Sequence, residues 1–240
     1  MQIEHSVALV TGANRGIGRA FVEELLQRGA TRVYAAARDV DSLGATTRLD
    51  RDRVRPLQLD VRDPAAARTA AAQARDVTLL INNAAVLSLG SLVDVAVDEV
   101  RRNMETNFFG MLHVTNAFVP QLEAGRGAVV NMLTLVALAS MPGLAAYNAS
   151  KAAALSLTQS FRADLGKRGI TVHAVFPGAV DTDMIRDLDM PKSAVLDVAR
   201  ATLSAVEAGE EDIFPDPMSR QIYSSWRDDH KAVERLFATM

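Results

Sequence analysis

The chain has 240 residues, 49% of them hydrophobic, enough to bury one sizeable core, and a single α/β domain is the simplest expectation at that length. Its formal charge of -3 is spread along the sequence, and the basic clusters Arg51/Arg53/Arg55 and Arg101/Arg102 are interleaved with or flanked by acids, which argues against a phosphate-backbone track and a nucleic-acid partner. There are no cysteines, so disulfides, thiolate metal sites and cysteine nucleophiles are excluded together.

The amino end, MQIEHSVALV, carries no basic leader or cleavage-like site, and no apolar run reaches the length of a membrane span. A soluble cytoplasmic protein without a membrane partner is expected. Short β-branched runs then recur in order: VALVT (7–11), TRVYAAA (31–37), VRPLQLD (54–60), VTLLIN (77–82), GAVVNML (127–133), ITVHAVF (170–176) and EDIF (211–214). Alanine-rich or amphipathic segments lie near 16–28, 64–74, 98–122 and 147–167. The alternation predicts right-handed βαβ crossovers: a single-domain, doubly wound Rossmann fold with a parallel seven-stranded sheet and helices on both faces. Residues 5–185 form its core and 186–240 a lid and a C-terminal segment. Ligands in such folds lie beyond the carboxyl ends of the strands. His5, His113, His173 and His230 stand alone, with none of the spacings a metal site needs, so no metal is expected.

VALVT runs directly into GANRGIG, with glycines at 12, 16 and 18 and a helix beginning near Gly16. Glycines there let the backbone turn sharply and approach a pyrophosphate, whose charge is favoured by the free N–H groups of a helix start. The spacing is Gly-x-x-x-Gly-x-Gly rather than the commoner Gly-x-Gly-x-x-Gly. The second strand ends AAARD, with Ala37 where an acid would receive an unphosphorylated ribose, followed by Arg38. With Arg15 in the glycine loop, two guanidiniums and no carboxylate at Ala37 favour the 2′-phosphate of NADP(H). Asp39 and Asp41 read as helix caps.

TGANRGIG (11–18), LDV (59–61), NNAA (82–85), Asn107 in NFFG, Tyr147-x-x-x-Lys151 and PGAVDT (177–182) occur in the order and spacing of the short-chain dehydrogenase/reductase family, and AARD resembles a segment of NADPH-dependent carbonyl reductases. The resemblance covers residues 5 to about 185 and is weak beyond 190. It implies that Gly12, Asn14, Arg15, Gly16, Ile17, Gly18, Arg38, Pro177, Gly178 and Val180 contact the cofactor. Asp60 and Val61 would hold the adenine, Asn83 and Ala84 would run under the cofactor, and Thr182 would touch the nicotinamide amide or its phosphate. Two positions depart from the pattern. Ala85 replaces a glycine and adds a methyl group where backbone approach is closest. Thirteen residues before Tyr147, where the family places a serine, stands Thr134.

Tyr147 and Lys151 are neighbours on one helical face. A lysine cation beside a phenol favours the phenolate and is expected to lower a pKa that starts near ~10. In ketone reduction the tyrosine gives its proton to the carbonyl oxygen while the nicotinamide delivers hydride to carbon. The resemblance assigns ribose binding to Lys151 and support of a water chain to Asn107. Thr134 carries the hydroxyl of the serine it replaces, with a stiffer rotamer, and is expected to hold the oxygen. Ser150 reads as a helix-packing residue.

The stretches LSLG, LVALASM and DMIRDLDM supply Leu87, Leu89, Leu135, Met141, Met184, Leu188 and Met190, predicting an apolar pocket for a hydrophobic ketone or secondary alcohol. Pro177-Gly178 and Pro191 bracket a candidate lid. Helices 98–122 and 147–167 carry apolar residues beyond one sheet-facing stripe, and the family pairs these helices, so a homodimer or homotetramer is expected. The tail after 211 shapes either an interface or the pocket. Two alternatives stand beside the carbonyl reductase: a reductase for an acyl-carrier or steroid-like ketone, and an NADP-binding sensor without turnover, which would not need Tyr147 and Lys151.

Overall fold

The computed structural model describes residues 1–187 and 189–240. In chain order it contains β1 (Val7–Thr11), α1 (Gly16–Gln27), β2 (Arg32–Ala37), α2 (Gly44–Thr47), β3 (Val54–Gln58), α3 (Pro64–Gln73), β4 (Leu79–Asn82), α4 (Val97–Met104), α5 (Gly110–Ala124), β5 (Ala128–Met132), α6 (Ala145–Gly166), β6 (Thr171–Val175), α7 (Val195–Ala208), β7 (Asp212–Ile213), α8 (Pro217–Asp228) and α9 (His230–Phe237). All seven strands pair in parallel in the order β3-β2-β1-β4-β5-β6-β7. This is the doubly wound sheet that the alternation predicts.

The strands read as apolar runs because both faces are covered. Along β1, Ala8 and Val10 join one core with Phe21 and Leu25 of α1 and Leu203 and Val206 of α7. Leu9 faces the other way, into a core with Ala70 of α3, Phe118 and Leu122 of α5, and Phe161 of α6. The period of two that divides these residues between the faces is the pleat itself.

The expected single helix over 98–122 is interrupted. Between α4 and α5 the residues Glu105–Phe109 form one π turn. That turn presents Asn107 to the backbone of Val86, whose N–H donates to Asn107 Oδ1 and whose carbonyl accepts from Asn107 Nδ2, both at 2.9 Å. Such single-turn bulges re-aim one side chain out of an otherwise regular helix. Chain order reverses between β1 and β4, so β2 and β5 lie on opposite sides of that pair. A crevice opens there beyond the strand ends. No described helix is long and apolar enough to cross a membrane.

Candidate active site

At the end of β1 the chain turns through Gly12, whose φ of 65° lies in the left-handed region that side chains avoid. The turn brings Gly12 against α1 so closely that a Cβ on Gly18 would sit 2.2 Å from the Gly12 carbonyl oxygen. Asn83 holds this loop: its Nδ2 donates to the carbonyls of Thr11 at 2.9 Å and Gly12 at 3.3 Å. Thr11 Oγ1 in turn accepts the backbone N–H groups of Asn83 and Ala84, at 2.9 and 3.0 Å. Helix α1 starts with no side-chain cap and no acid in its first turn. Its N-terminal end therefore keeps its positive field for an anion. Ala85 lies outside the left-handed region, so its methyl group is carried without backbone strain.

A cavity of about 770 Å³ extends from this loop across the carboxyl ends of the strands. Its wall includes Gly12, Asn14, Arg15, Gly16, Ile17, Gly18, Arg38, Asp60, Val61, Asn83, Ala84, Thr134, Tyr147, Lys151, Pro177, Gly178, Val180 and Thr182. Leu87, Leu135, Met141, Met184 and Met190 line it as well. Leu89 does not: it is 68% exposed and points away from the cavity wall, because the chain has already turned toward the Gly90–Leu144 bridge. Leu188 lies outside the described residues.

At the adenosine end, Arg38 is exposed and, among the described residues, has no carboxylate within ion-pair distance. Asp39 accepts the backbone N–H of Asp41 at 3.0 Å and so caps a turn, as the sequence suggests. Arg15 pairs with Asp183 at 3.0 Å, which ties the glycine loop to the candidate lid. Asp60 accepts from the Arg62 guanidinium at 3.0, 3.2 and 2.6 Å and from the Arg62 backbone N–H at 3.0 Å, and this guanidinium holds its carboxyl below the usual range. The base of the lid is pinned at Val180 and Ser193, where Ser193 N–H donates to Ala179 at 2.9 Å and accepts from Asp181 at 2.9 Å through its carbonyl.

Thr134 follows β5 in extended backbone and leads into a short turn, Leu135–Ala137. Tyr147 and Lys151 rise from the first two turns of α6, with Lys151 Nζ 5.7 Å from the centroid of the Tyr147 ring. Lys151 is 3% exposed, and its Nζ donates to the Met132 carbonyl at 2.6 Å. Proximity of the lysine does not lower the phenol here. Burial dominates both groups, pushing the Tyr147 pKa well above its usual value and Lys151 down to about 8. The expectation from spacing alone is therefore reversed for Tyr147: helical spacing fixes proximity, whereas the surrounding walls fix desolvation.

Asn107 is 1% exposed and stands behind the cavity wall rather than on it. Besides Val86 it reaches Ser150, whose Oγ accepts from Asn107 Nδ2 at 2.9 Å and donates to the Tyr147 carbonyl at 2.8 Å. A second buried polar chain lies beneath the site and is absent from the sequence reading. Asn82 Nδ2 donates to Thr115 Oγ1 and Asn131 Oδ1, and Asn131 Nδ2 donates to Thr158 Oγ1, at 2.9 to 3.0 Å. Two asparagines in adjacent apolar strands were the available signal, since buried amides need partners. The tail shapes the pocket: Met218, Ile222, Leu236, Phe237 and Met240 all line the cavity. Asp216 fixes it there by accepting the Gly178 N–H at 2.9 Å while capping α8.

A glycine cradle at the switch point of a doubly wound sheet, opening onto a half-buried tyrosine beside a buried lysine, defines a nucleotide-binding α/β fold. The chain belongs to the short chain dehydrogenase family, whose pattern matches residues 6–192, and is an oxidoreductase of that family. It is 35% identical over 183 residues, 74% of this chain and 70% of the other, to a 3-alpha-(or 20-beta)-hydroxysteroid dehydrogenase of Mycobacterium bovis. It is 32% identical over 214 residues, covering 87% and 85%, to the 3-oxoacyl-acyl-carrier-protein reductase FabG of Vibrio harveyi. Among solved structures, a short chain dehydrogenase of Burkholderia cenocepacia J2315 in complex with NADP is similar with a TM-score of 0.93, 38% identity and 99% coverage of both chains.

Proposed function

We propose that the protein transfers a hydride between NADP(H) and a bulky, uncharged, apolar ketone or the corresponding secondary alcohol. The observation that carries this reading is the placing of Thr134, Tyr147 and Lys151 on the wall of the cavity that the glycine cradle opens into. The cradle suits a pyrophosphate: its loop packs so tightly that a Cβ at Gly12 would meet Ala84 and one at Gly18 the Gly12 carbonyl, and the uncapped start of α1 beside it offers its free N–H groups to an anion. Arg38, with Arg15 beside the loop, supplies charge for a 2′-phosphate, and the Burkholderia relative carries NADP.

When bound, the nicotinamide gives hydride to the carbonyl carbon or takes it from the carbinol carbon. Tyr147, held protonated by burial, donates its phenolic proton to the carbonyl oxygen. Lys151 retains a charge near neutral pH, since its pKa is about 8, and that charge stabilises the phenolate left behind. Thr134 donates a hydrogen bond to the same oxygen and orients it. Asn107 acts through others: it ties the loop backbone at Val86 to Ser150 and hence to the Tyr147 backbone. Arg15 and Arg38 bind the adenosine end, and Asp60 and Val61 the adenine.

The substrate class rests on the wall beyond the glycine loop, to which Leu87, Leu135, Met141, Leu144 and Ile222 contribute apolar side chains. The hydroxysteroid relative agrees with a bulky apolar substrate. The FabG relative favours a second reading, reduction of the 3-oxo group of an acyl-carrier thioester. A homodimer or homotetramer accompanies the proposal, since Val97 and Phe109 stay exposed along the α4 side, and light scattering of the purified protein tests it.

The test is NADPH consumption by the purified protein with steroid, bicyclic, aryl and aliphatic ketones, with a 3-oxoacyl thioester and NADH alongside. Turnover of neutral ketones with NADPH supports the reading. Turnover confined to the thioester favours the second, and no turnover from protein saturated with NADPH defeats both.

A further inference from the structure

Most large apolar side chains of the described residues are buried, and the exceptions are few. Met184, Leu236 and Met240 are among those exceptions, at 42%, 48% and 62% exposed, yet all three line the candidate active-site cavity. They come from two separate segments: Met184 from the turn Asp183–Ile185, Leu236 and Met240 from the end of α9 and the residues that follow.

The placement of α9 is not accidental. Val233 and Phe237, 2% and 3% exposed, anchor it in the apolar cluster formed with Leu135, Val136 and Ala139, against which Tyr147 also packs. Its outer face carries Lys231, Glu234 and Arg235, with Lys231 and Glu234 paired at 2.5 Å and Arg235 and Asp229 at 3.6 Å. Asp229 caps its first turn. The anchors hold the helix and the ion pairs stay in solvent. Leu236 and Met240, one before and three after Phe237, are left with apolar surface toward the cavity and no protein core to bury it. Apolar surface of that kind gains only when a ligand covers it.

We propose that Leu236 and Met240 are specificity-determining residues that close the substrate space and limit the length of apolar ketone it accepts. The inference rests on the ketone reading above, and it adds which side chains set the limit. Neither residue touches the proton-transfer groups through a hydrogen bond, so their removal changes which substrates fit and leaves the chemistry in place.

The test uses binding rather than turnover, so that the two readings fail separately. The Tyr147→Phe protein, with saturating NADP+, is titrated calorimetrically with unbranched methyl ketones lengthened one methylene at a time. Affinity should rise by about fourfold per methylene until the wall is met, then level off or fall. In Tyr147→Phe carrying Leu236→Ala and Met240→Ala, the break should move outward by about two methylenes, the length of side chain removed. Tyr147→Phe with Lys231→Ala, altered on the outer face of the same helix, should keep the parent break. An unmoved break in the double variant, an equal move with Lys231→Ala, or no binding of any ketone by either protein would each overturn the inference. Length-limited binding by the parent with no ketone reduction by the wild type would overturn the proposed function and leave the wall assignment standing.

Discussion

Lys151 Nζ donates to the carbonyl oxygen of Met132 at 2.6 Å, joining the helix that carries Tyr147 to the last residue of β5. The bond is made inside the protein, and burial brings the ammonium pKa from 10.5 to about 8. Between these values the unfolded chain binds a proton that the folded protein does not. Stability therefore rises with pH across that window, and the full cost of a buried ammonium is present below it. Tyr147 works with the opposite sign: its raised phenol pKa makes stability fall once the unfolded phenol titrates near 10.0. Urea denaturation from pH 7.5 to 9.5 should show the wild type gaining on Lys151→Met as pH rises. Parallel curves for the two proteins contradict the assignment.

Removing the Asn107 side chain leaves the Val86 N–H and carbonyl and the Ser150 hydroxyl without their partner. Each unsatisfied buried group costs about 1–3 kcal/mol, so Asn107→Ala should lose clear stability. Because the same bonds fix the backbone of Tyr147, kcat should fall by about tenfold or more while the NADPH dissociation constant changes little. An equal loss in both quantities would reduce Asn107 to a general structural role.

The strands were legible from their β-branched runs, and each lies within two residues of its expected bounds, because a sheet covered on both faces demands apolar residues along its central strands. The π turn at Asn107 was not, since the bonds its side chain makes run to the backbone of Val86, twenty-one residues earlier. Helix α7 was overlooked although Val195, Val198, Ala199, Thr202, Leu203 and Val206 follow helical spacing. The site's residues were legible as an ordered set, and of those expected among the described residues all but Asn107 and Leu89 are found on the cavity wall. Their ionisation was not, because burial depends on walls drawn from distant segments. The same holds for the tail: amphipathic spacing in α9 marks a covered face without saying what covers it.

Thr134 replaces the expected serine while keeping the hydroxyl at the mouth of β5. Thr134→Ser should retain kcat/KM within about threefold, and Thr134→Ala should lose about 10²-fold, the usual effect of removing one oxyanion donor. Initial rates with the best ketone of the panel decide it, and wild-type rates in the alanine variant would remove Thr134 from the mechanism.

Cofactor preference separates the two arginines. Arg38 has no ion-pair partner among the described residues, whereas Arg15 is engaged by Asp183 at 3.0 Å. A charged hydrogen bond contributes about 1.5–3 kcal/mol, so Arg38→Ala should cut the NADPH-over-NADH ratio of kcat/KM by about tenfold or more. Arg15→Ala should cut it less, because Arg15 must first give up Asp183, and Asp183→Asn should tighten NADPH. An unchanged ratio in Arg38→Ala contradicts the 2′-phosphate assignment.

Following the hydride itself tests whether Tyr147 serves its transfer. Wild type and Tyr147→Phe, each loaded with NADPH carrying two deuteriums at C4 of the nicotinamide, are mixed with the best ketone and the alcohol is analysed by mass. The wild type should place one deuterium on the carbinol carbon, and Tyr147→Phe that still binds NADPH should place almost none in the same time. Deuterated alcohol formed at wild-type rate by Tyr147→Phe, or no transfer by wild type saturated with NADPH, would contradict that role.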